Sequence, residues 1–332
     1  MTANTQQQRK AGRMSRDRDV IRTAQPSQDA TKRYRLPRPT RIIGDYVSAS
    51  LGIKSGYVTF ELETGDVTYR SINFGIECNA AIAGVTVEIG GAFYVKEELI
   101  SDYIGSVRLV GNGSAMWEFT AAELRKRNLF HGQNYGPAFT GFSYPGEGMY
   151  WNRNLVDAFA LGTGDLSTLT FEARLEAAFD ANVMDLVVRP QAVDMLRQTG
   201  FTFIAKRSNW TFTGIAQHTY TQLPVADDIK EIWIMGDGIK HIKLEVDGDL
   251  MFDMDRATYE SYLISNGRDP DALGGQWLLD FHAEGDARSL AALDRKGELG
   301  RNAKIKLDVT TTLQETPVEF VVMNSGLYRK IR

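Results

Sequence analysis

Four histidines (His131, His218, His241 and His282), one cysteine and a few clustered carboxylates are the material from which this chain would have to build a reactive or metal-binding site. No two histidines stand four apart and no HExxH occurs, so the helical geometry that zinc hydrolases use has no anchor. His241 falls inside an alternating pattern and reads as a strand-face or interface residue. Gly162-Thr163-Gly164 looks like a piece of a phosphate loop. It lacks the third glycine and the Lys-Ser/Thr pair, and no strand–helix–strand pattern surrounds it, so a turn is the simpler reading. No G-x-S-x-G elbow is present to seat a nucleophilic serine. Cys78 stands alone, which excludes an internal disulfide and a cysteine zinc site and fits folding in a reducing compartment. The densest carboxylates are Asp247, Asp249, Asp253 and Asp255. Oxygen ligands this close suit a hard cation such as Ca²⁺, but Gly248 comes too early for an EF-hand and no Glu closes the loop. A D-G hairpin turn followed by an Asp helix cap is preferred. No cofactor is expected, and a structural Ca²⁺ has no motif behind it.

Charge is distributed unevenly. Residues 1–41 carry Arg9, Lys10, Arg13, Arg16, Arg18, Arg22, Lys32, Arg33, Arg35, Arg38 and Arg41 against Asp17, Asp19 and Asp29, a net of +8 that leaves −12 on the remainder of a chain whose total is −4. This segment, residues 1–40, shows no period of 2 or 3.6 and is expected to be an extended basic arm, disordered by itself. Such an arm seeks an anionic partner. Tyr34 is its only aromatic, too few for base stacking, so specific nucleic-acid recognition is not expected. Anionic lipid headgroups would attract it at about 1 kcal/mol per basic residue near the surface. No apolar run reaches the ~18–20 residues of a membrane span, and the N-terminal stretch lacks the apolar core of a secretion signal.

From about Ile42 the text changes to short alternating strands: Val58/Phe60/Leu62, Val85/Val87/Ile89, Leu169/Phe171/Ala173, Ile242/Leu244/Val246 and Ile305/Leu307/Val309. Period-2 writing of this kind, broken at close intervals by Gly, Asn and Asp, predicts an all-β sandwich or barrel. A repeat runs through it. Ser55–Phe60 is echoed by Ser208–Phe212, and Val85–Ile89 with Gly90-Gly91 by Ile242–Val246 with Asp247-Gly248. A short helix over Lys96–Ile104 is echoed by one over Asp255–Ile264, and Trp117-Glu118-Phe119 by Leu279-Asp280-Phe281. Leu169–Leu175 and Asp185–Val188 are echoed by Lys304–Thr310 and Glu319–Val322. The spacing between partners shortens along the series, which predicts an insertion in the first copy at about 120–158, rich in Gly and aromatics from His131 to Trp151. The organisation expected is an arm over 1–40, a first domain over 41–198 and a second over 199–332.

From about Tyr57 to Gly326 the chain resembles the major capsid proteins of corticoviruses, tailless phages with an internal membrane. The residues that carry the resemblance are Val87-Glu88-Ile89-Gly90-Gly91 and Phe159–Thr163 leading into Leu169–Leu175, then Glu245–Gly248, Asp280-Phe281 with Glu284-Gly285-Asp286, and Ile305–Asp308. The resemblance implies a double jelly roll, two eight-stranded antiparallel barrels in tandem with short helices. It implies no catalytic residue, and a function of assembly rather than catalysis. It also implies a homotrimer of pseudo-hexagonal outline that packs against neighbouring capsomers, penton and minor capsid proteins around a lipid vesicle. The chain would be made in a bacterial cytoplasm and end in the outer icosahedral shell of a virion. The basic arm would touch the internal membrane, a neighbouring capsomer or a minor shell protein, and it is longer and more basic than the family leads one to expect. Two alternatives stay open on the residues alone: a receptor- or carbohydrate-binding β-sandwich of a virion spike, and a jelly-roll enzyme.

Overall fold

Alternation of buried and outward residues sets the strands. The computed structural model describes residues 41–42, 46–47, 56–133, 135–143, 160–194, 201–223, 228–281 and 304–327. The later half of the chain is the simpler. It contributes β13 (Phe201–Thr213), β14 (Gln217–Tyr220), β15 (Asp228–Met235), β16 (Ile239–Val246), β17 (Asp249–Asp255), β18 (Trp277–Asp280), β19 (Ile305–Thr311) and β20 (Glu315–Leu327). These pair antiparallel into two sheets, β13-β20-β15-β18 and β14-β19-β16-β17. Counted within the lobe, the orders are first–eighth–third–sixth and second–seventh–fourth–fifth, which is the jelly-roll winding. Inward residues of both sheets fill the core: Ile232, Ile234, Leu244, Leu307 and Phe320 are all fully buried. Tyr220 stacks on Phe320 at 4.6 Å between ring centres.

The earlier half repeats this winding with additions. Its strands are β1 (Arg41–Ile42), β2 (Tyr46–Val47), β3 (Tyr57–Glu61), β4 (Val67–Cys78), β5 (Thr86–Ile89), β6 (Ala92–Val95), β7 (Ile104–Gly111), β8 (Ser114–Thr120), β9 (Phe139–Ser143), β10 (Leu161–Gly162), β11 (Leu169–Leu175) and β12 (Met184–Asp194). One sheet is β3-β11-β7-β8. In the other, β12 pairs with β1 and β2 on one side and with β4 on the other, and β4 pairs in turn with β10, β9 and β6. With β1 and β2 taken as one first strand, and β9 and β10 as one sixth, the order matches the second lobe. The β5–β6 hairpin and the short helix α1 (Ile100–Tyr103) are extra. The outward faces carry charge, as where Arg108 of β7 meets Glu172 of β11 at 2.6 Å.

The internal duplication is therefore real, but its register differs from the one read in the text. The echoes at Leu169–Leu175 and Asp185–Val188 fall on equivalent strands, β11 with β19 and β12 with β20. The earlier echoes do not. Val85–Ile89 lies in the extra hairpin, and the true counterpart of β16 is β7. The helix α3 (Arg256–Ser265) corresponds not to Lys96–Ile104 but to α2 (Ala121–Phe130), since both follow the fifth strand of their lobe. The extra length of the first copy also sits elsewhere. Residues 79–103 separate β4 from β7, whereas 236–238 separate β15 from β16, while 121–168 and 256–304 are nearly equal in length. The segment from about 120 to 158 is thus not an insertion relative to the second copy. It holds α2 and β9 and the turn between them, and residues 144–158, with the later part of the Gly/aromatic run, lie outside the described residues.

One turn marks the duplication most sharply. Among the described residues only Asn112 and Asp247 have positive φ without being glycine, at 47° and 52°, and each is followed by a glycine at 78° or 94°. They occupy the same hairpin, between β7 and β8 and between β16 and β17. Each ties it to the segment entering the seventh strand: Asn112 Oδ1 accepts from Ser167 N and Thr168 N, and Asp247 Oδ1 from Lys304 N at 2.7 Å. Asn and Asp tolerate the left-handed region and bond the neighbouring backbone; a β-branched residue does not. Asp247→Val is expected to lower unfolding stability by roughly 1–3 kcal/mol and Asp247→Asn by about 0.5 or less, read from denaturant midpoints at unchanged m-value.

Candidate functional site at the junction of the two lobes

Helix α2 carries the chemistry that joins the halves. Its start is fixed by a reciprocal cap: Thr120 Oγ1 accepts from Glu123 N at 3.1 Å, and the Glu123 carboxylate accepts from Thr120 N at 2.8 Å. Leu124 is buried against the first lobe. A different face, Glu123, Arg127 and Phe130 with His131 beyond the helix end, turns to the second lobe at the i, i+4, i+7 spacing of a helix.

Arg127 of α2 donates two hydrogen bonds to Glu231 of β15, from Nε at 3.0 Å and Nη2 at 2.7 Å, and both side chains are 2% exposed. The guanidinium also lies 4.9 Å from the ring centre of Phe142. His131 Nε2 is 3.3 Å from Glu231 Oε1, and its Nδ1 is 3.7 Å from Asp280 Oδ2, which Arg268 approaches at 2.9 Å. Burial alone would raise the Glu231 carboxyl; the adjoining Arg127 and His131 more than offset this and hold it well below the usual carboxylate range. Nearer the rim, Arg207 of β13 reaches Glu123 at 2.6 Å, Glu319 of β20 at 2.6 Å and the Glu118 carbonyl at 3.0 Å, with Phe119 under it. The junction holds two polar clusters, one around Glu231 and one around Arg207, drawn from the fifth strand and helix of the first lobe and from the second lobe.

The other singled-out residues are satisfied locally. His241 Nε2 is 2.9 Å from Asp253 Oδ1 on the outer face of the β16–β17 ladder. His218 lies over Phe212, its Nε2 3.0 Å from the Gly214 carbonyl. Asp255 caps α3 by accepting from Thr258 N at 2.8 Å, and Asp247 forms the hairpin, so the turn-and-cap reading of the four aspartates holds for these two. Among the described residues no three His, Cys, Asp or Glu side chains form a metal-sized group. Thr163 closes the glycine turn by donating to the Val67 carbonyl at 2.6 Å. Burial pushes the Cys78 thiol up, with Glu77 adding to it. Of the basic arm, Arg41 lies in β1 opposite Ala192. Arg9, Lys10, Arg13, Arg16, Arg18, Arg22, Lys32, Arg33, Arg35 and Arg38 lie outside the described residues, as does His282. Among the described residues no helix is long and apolar enough to cross a membrane.

The fold so defined is a double jelly roll. No protein-family model and no curated protein sequence matches the chain. Solved structures do. The major capsid protein P2 of bacteriophage PM2 superposes with a TM-score of 0.65 at 20% identity, covering 84% of this chain and 94% of that one. The STIV major capsid protein gives 0.54 at 10% identity over 88% and 97%. A chain of the Sulfolobus Turreted Icosahedral Virus structure gives 0.55 at 11% identity over 88% and 91%. The likeness to the corticovirus coat proteins read from the sequence is thus matched in three dimensions.

Removing one partner of a buried pair leaves a bare charge, so Arg127→Leu is expected to cost about 3–5 kcal/mol, and the double change Arg127→Leu/Glu231→Leu much less. Chemical denaturation of the four proteins measures this. Because the folded Glu231 titrates below its ordinary value of 4.5, its stabilisation is complete above that value and is lost as pH falls through the depressed one. The stability gap between wild type and Glu231→Gln is expected to close as the pH falls below that ordinary carboxylate value.

Proposed function

We propose that the chain is a major capsid protein and acts by assembly, not catalysis. Three copies form a capsomer of pseudo-hexagonal outline, because each supplies two lobes of one plan. Such capsomers tile an icosahedral shell enclosing a lipid membrane, and the basic residues between Arg9 and Arg41 tether the tile to that membrane, to a neighbouring capsomer or to a minor shell protein. The observation that carries this reading is the pair of same-order lobes locked side by side through the buried Arg127–Glu231 contact. The fit over nearly the whole length of viral coat proteins supports it. So does the physics of sheet edges: β17 and β3 end their sheets, and edges left open invite association that ordered packing of subunits would satisfy.

Native mass spectrometry of the purified chain tests the reading. A species of three chains that persists on dilution is expected; a monomer at high concentration contradicts it. Removal of residues 1–40 is expected to leave that species intact and to abolish closed or membrane-containing particles. Normal particles from the shortened chain would refute the tethering role.

A further inference from the structure

A cleft of about 380 Å³ opens in the first lobe between the single turn Glu97–Leu99 and helix α2, with Gln133, Tyr135 and Pro137 beyond the helix as its third wall. One of its lining residues is an amide that packing does not require. Asn128 is 3% exposed, and counted from the caps it stands where α3 has Leu263, an apolar core residue. Its Nδ2 donates to the Gly141 carbonyl at 2.9 Å and to Thr140 Oγ1 at 3.3 Å. These contacts fix the amide and leave Oδ1 without a donor among the described residues. Gln133 Oε1, on the same cleft, is buried and lacks one too. A buried amide oxygen without a donor is costly, so two on one cleft call for donors from outside the fold.

The charged groups on the cleft point the same way. Arg125 Nε donates to Glu97 Oε2 at 2.6 Å, so the one cation lining it is already matched. Glu98 is exposed and has no ion-pair partner among the described residues. The cleft thus combines one unbalanced negative charge, two unpaired amide oxygens and an apolar wall of Leu129 and Pro137. We propose that it binds a primary alkylammonium ion. The ammonium head supplies the donors that Glu98 and the amide oxygens lack, and the methylene stem lies along Leu129 and Pro137. A bare metal ion is a poorer match, since among the described residues no three carboxylate, imidazole or thiolate groups converge. An anion would meet the unpaired Glu98. Two sources offer the required chemistry: a free polyamine, and a lysine side chain such as Lys10 or Lys32 of the basic segment. Each chain holds one such cleft. The Glu97–Leu99 turn belongs to the extra segment 79–103, whereas the second lobe has only residues 236–238 in that place, so no equivalent wall stands beside α3.

Isothermal titration of the full chain with spermidine tests the site. One molecule per chain is expected to bind, with a dissociation constant below ~1 mM. Glu98→Gln is expected to weaken binding at least ~10-fold, as loss of a charge-assisted contact does. Gln133→Leu, which leaves the charge of the chain unchanged, is expected to weaken it about 5-fold. Glu315→Gln, at an exposed carboxylate of the second lobe, is expected to bind like wild type. Carbodiimide coupling followed by peptide mapping separates the sources. Linkage of Glu98 to Lys10 or Lys32 that spermidine suppresses identifies the chain's own lysine; saturable spermidine binding without that linkage identifies a free amine. Spermidine affinity unaltered in both cleft variants would mean attraction to the acidic body alone and would overturn the site. So would displacement of spermidine by equimolar Ca²⁺, or the absence of both saturable binding and linkage.

Discussion

The Arg127–Glu231 pair is the constraint on which the molecule turns. Two jelly rolls joined by a linker alone would be free to reorient, since contacts between domains of one chain are ordinarily modest. A bidentate ion pair at 2% exposure cannot slide: moving either lobe by an ångström would leave a desolvated charge without its partner. The energy of such a pair comes less from its attraction than from the cost of breaking it, which is what a rigid joint requires. Asp280 with Arg268, and Glu123 with Arg207, extend the same logic from the centre to the rim, and His131 lies between Glu231 and Asp280.

Duplication followed by divergence explains why the joint is lopsided. Both lobes keep the hairpin with its left-handed Asn or Asp, the side-chain cap and the helix after the fifth strand, because these maintain the winding. They differ where the lobes meet. α2 turns Glu123 and Arg127 toward its neighbour, and α3 puts Thr258 and Tyr262 in the same places. Tyr259 of α3 instead stacks on Trp277 at 4.5 Å and exchanges hydrogen bonds with the Leu278 backbone, serving its own core. Equivalent folds have thus been given non-equivalent surfaces.

Much of the fold was legible in the text because strand alternation is local. Phe171 and Ala173, or Leu307 and Val309, announce a buried face without knowledge of their partners, and the echoes on the last two strands of each lobe fell where the sheets put them. Pairing is not local, and there the reading slipped. Val87-Glu88-Ile89-Gly90-Gly91 writes the same alternating strand and glycine turn as Glu245-Val246-Asp247-Gly248, yet one is an extra hairpin and the other the centre of a sheet. Helix α2 was passed over because its inward side is partly polar. Arg127 is buried against Glu231 of the other lobe and Asn128 against Thr140 and the Gly141 carbonyl, so no apolar stripe advertises them. The capping pair Thr120 and Glu123 was the available signal. Glu231 carried a fainter one, a carboxylate beside Lys230 at the head of the apolar run Ile232 to Met235.

A cryo-electron microscopy map of the purified oligomer tests the central claim most directly. The account predicts six lobes around a threefold axis, with every lobe turned the same way round the ring and the Arg127–Glu231 seam closed in each chain. A map in which the two lobes of one chain stand apart, or face each other across a local twofold, would contradict it.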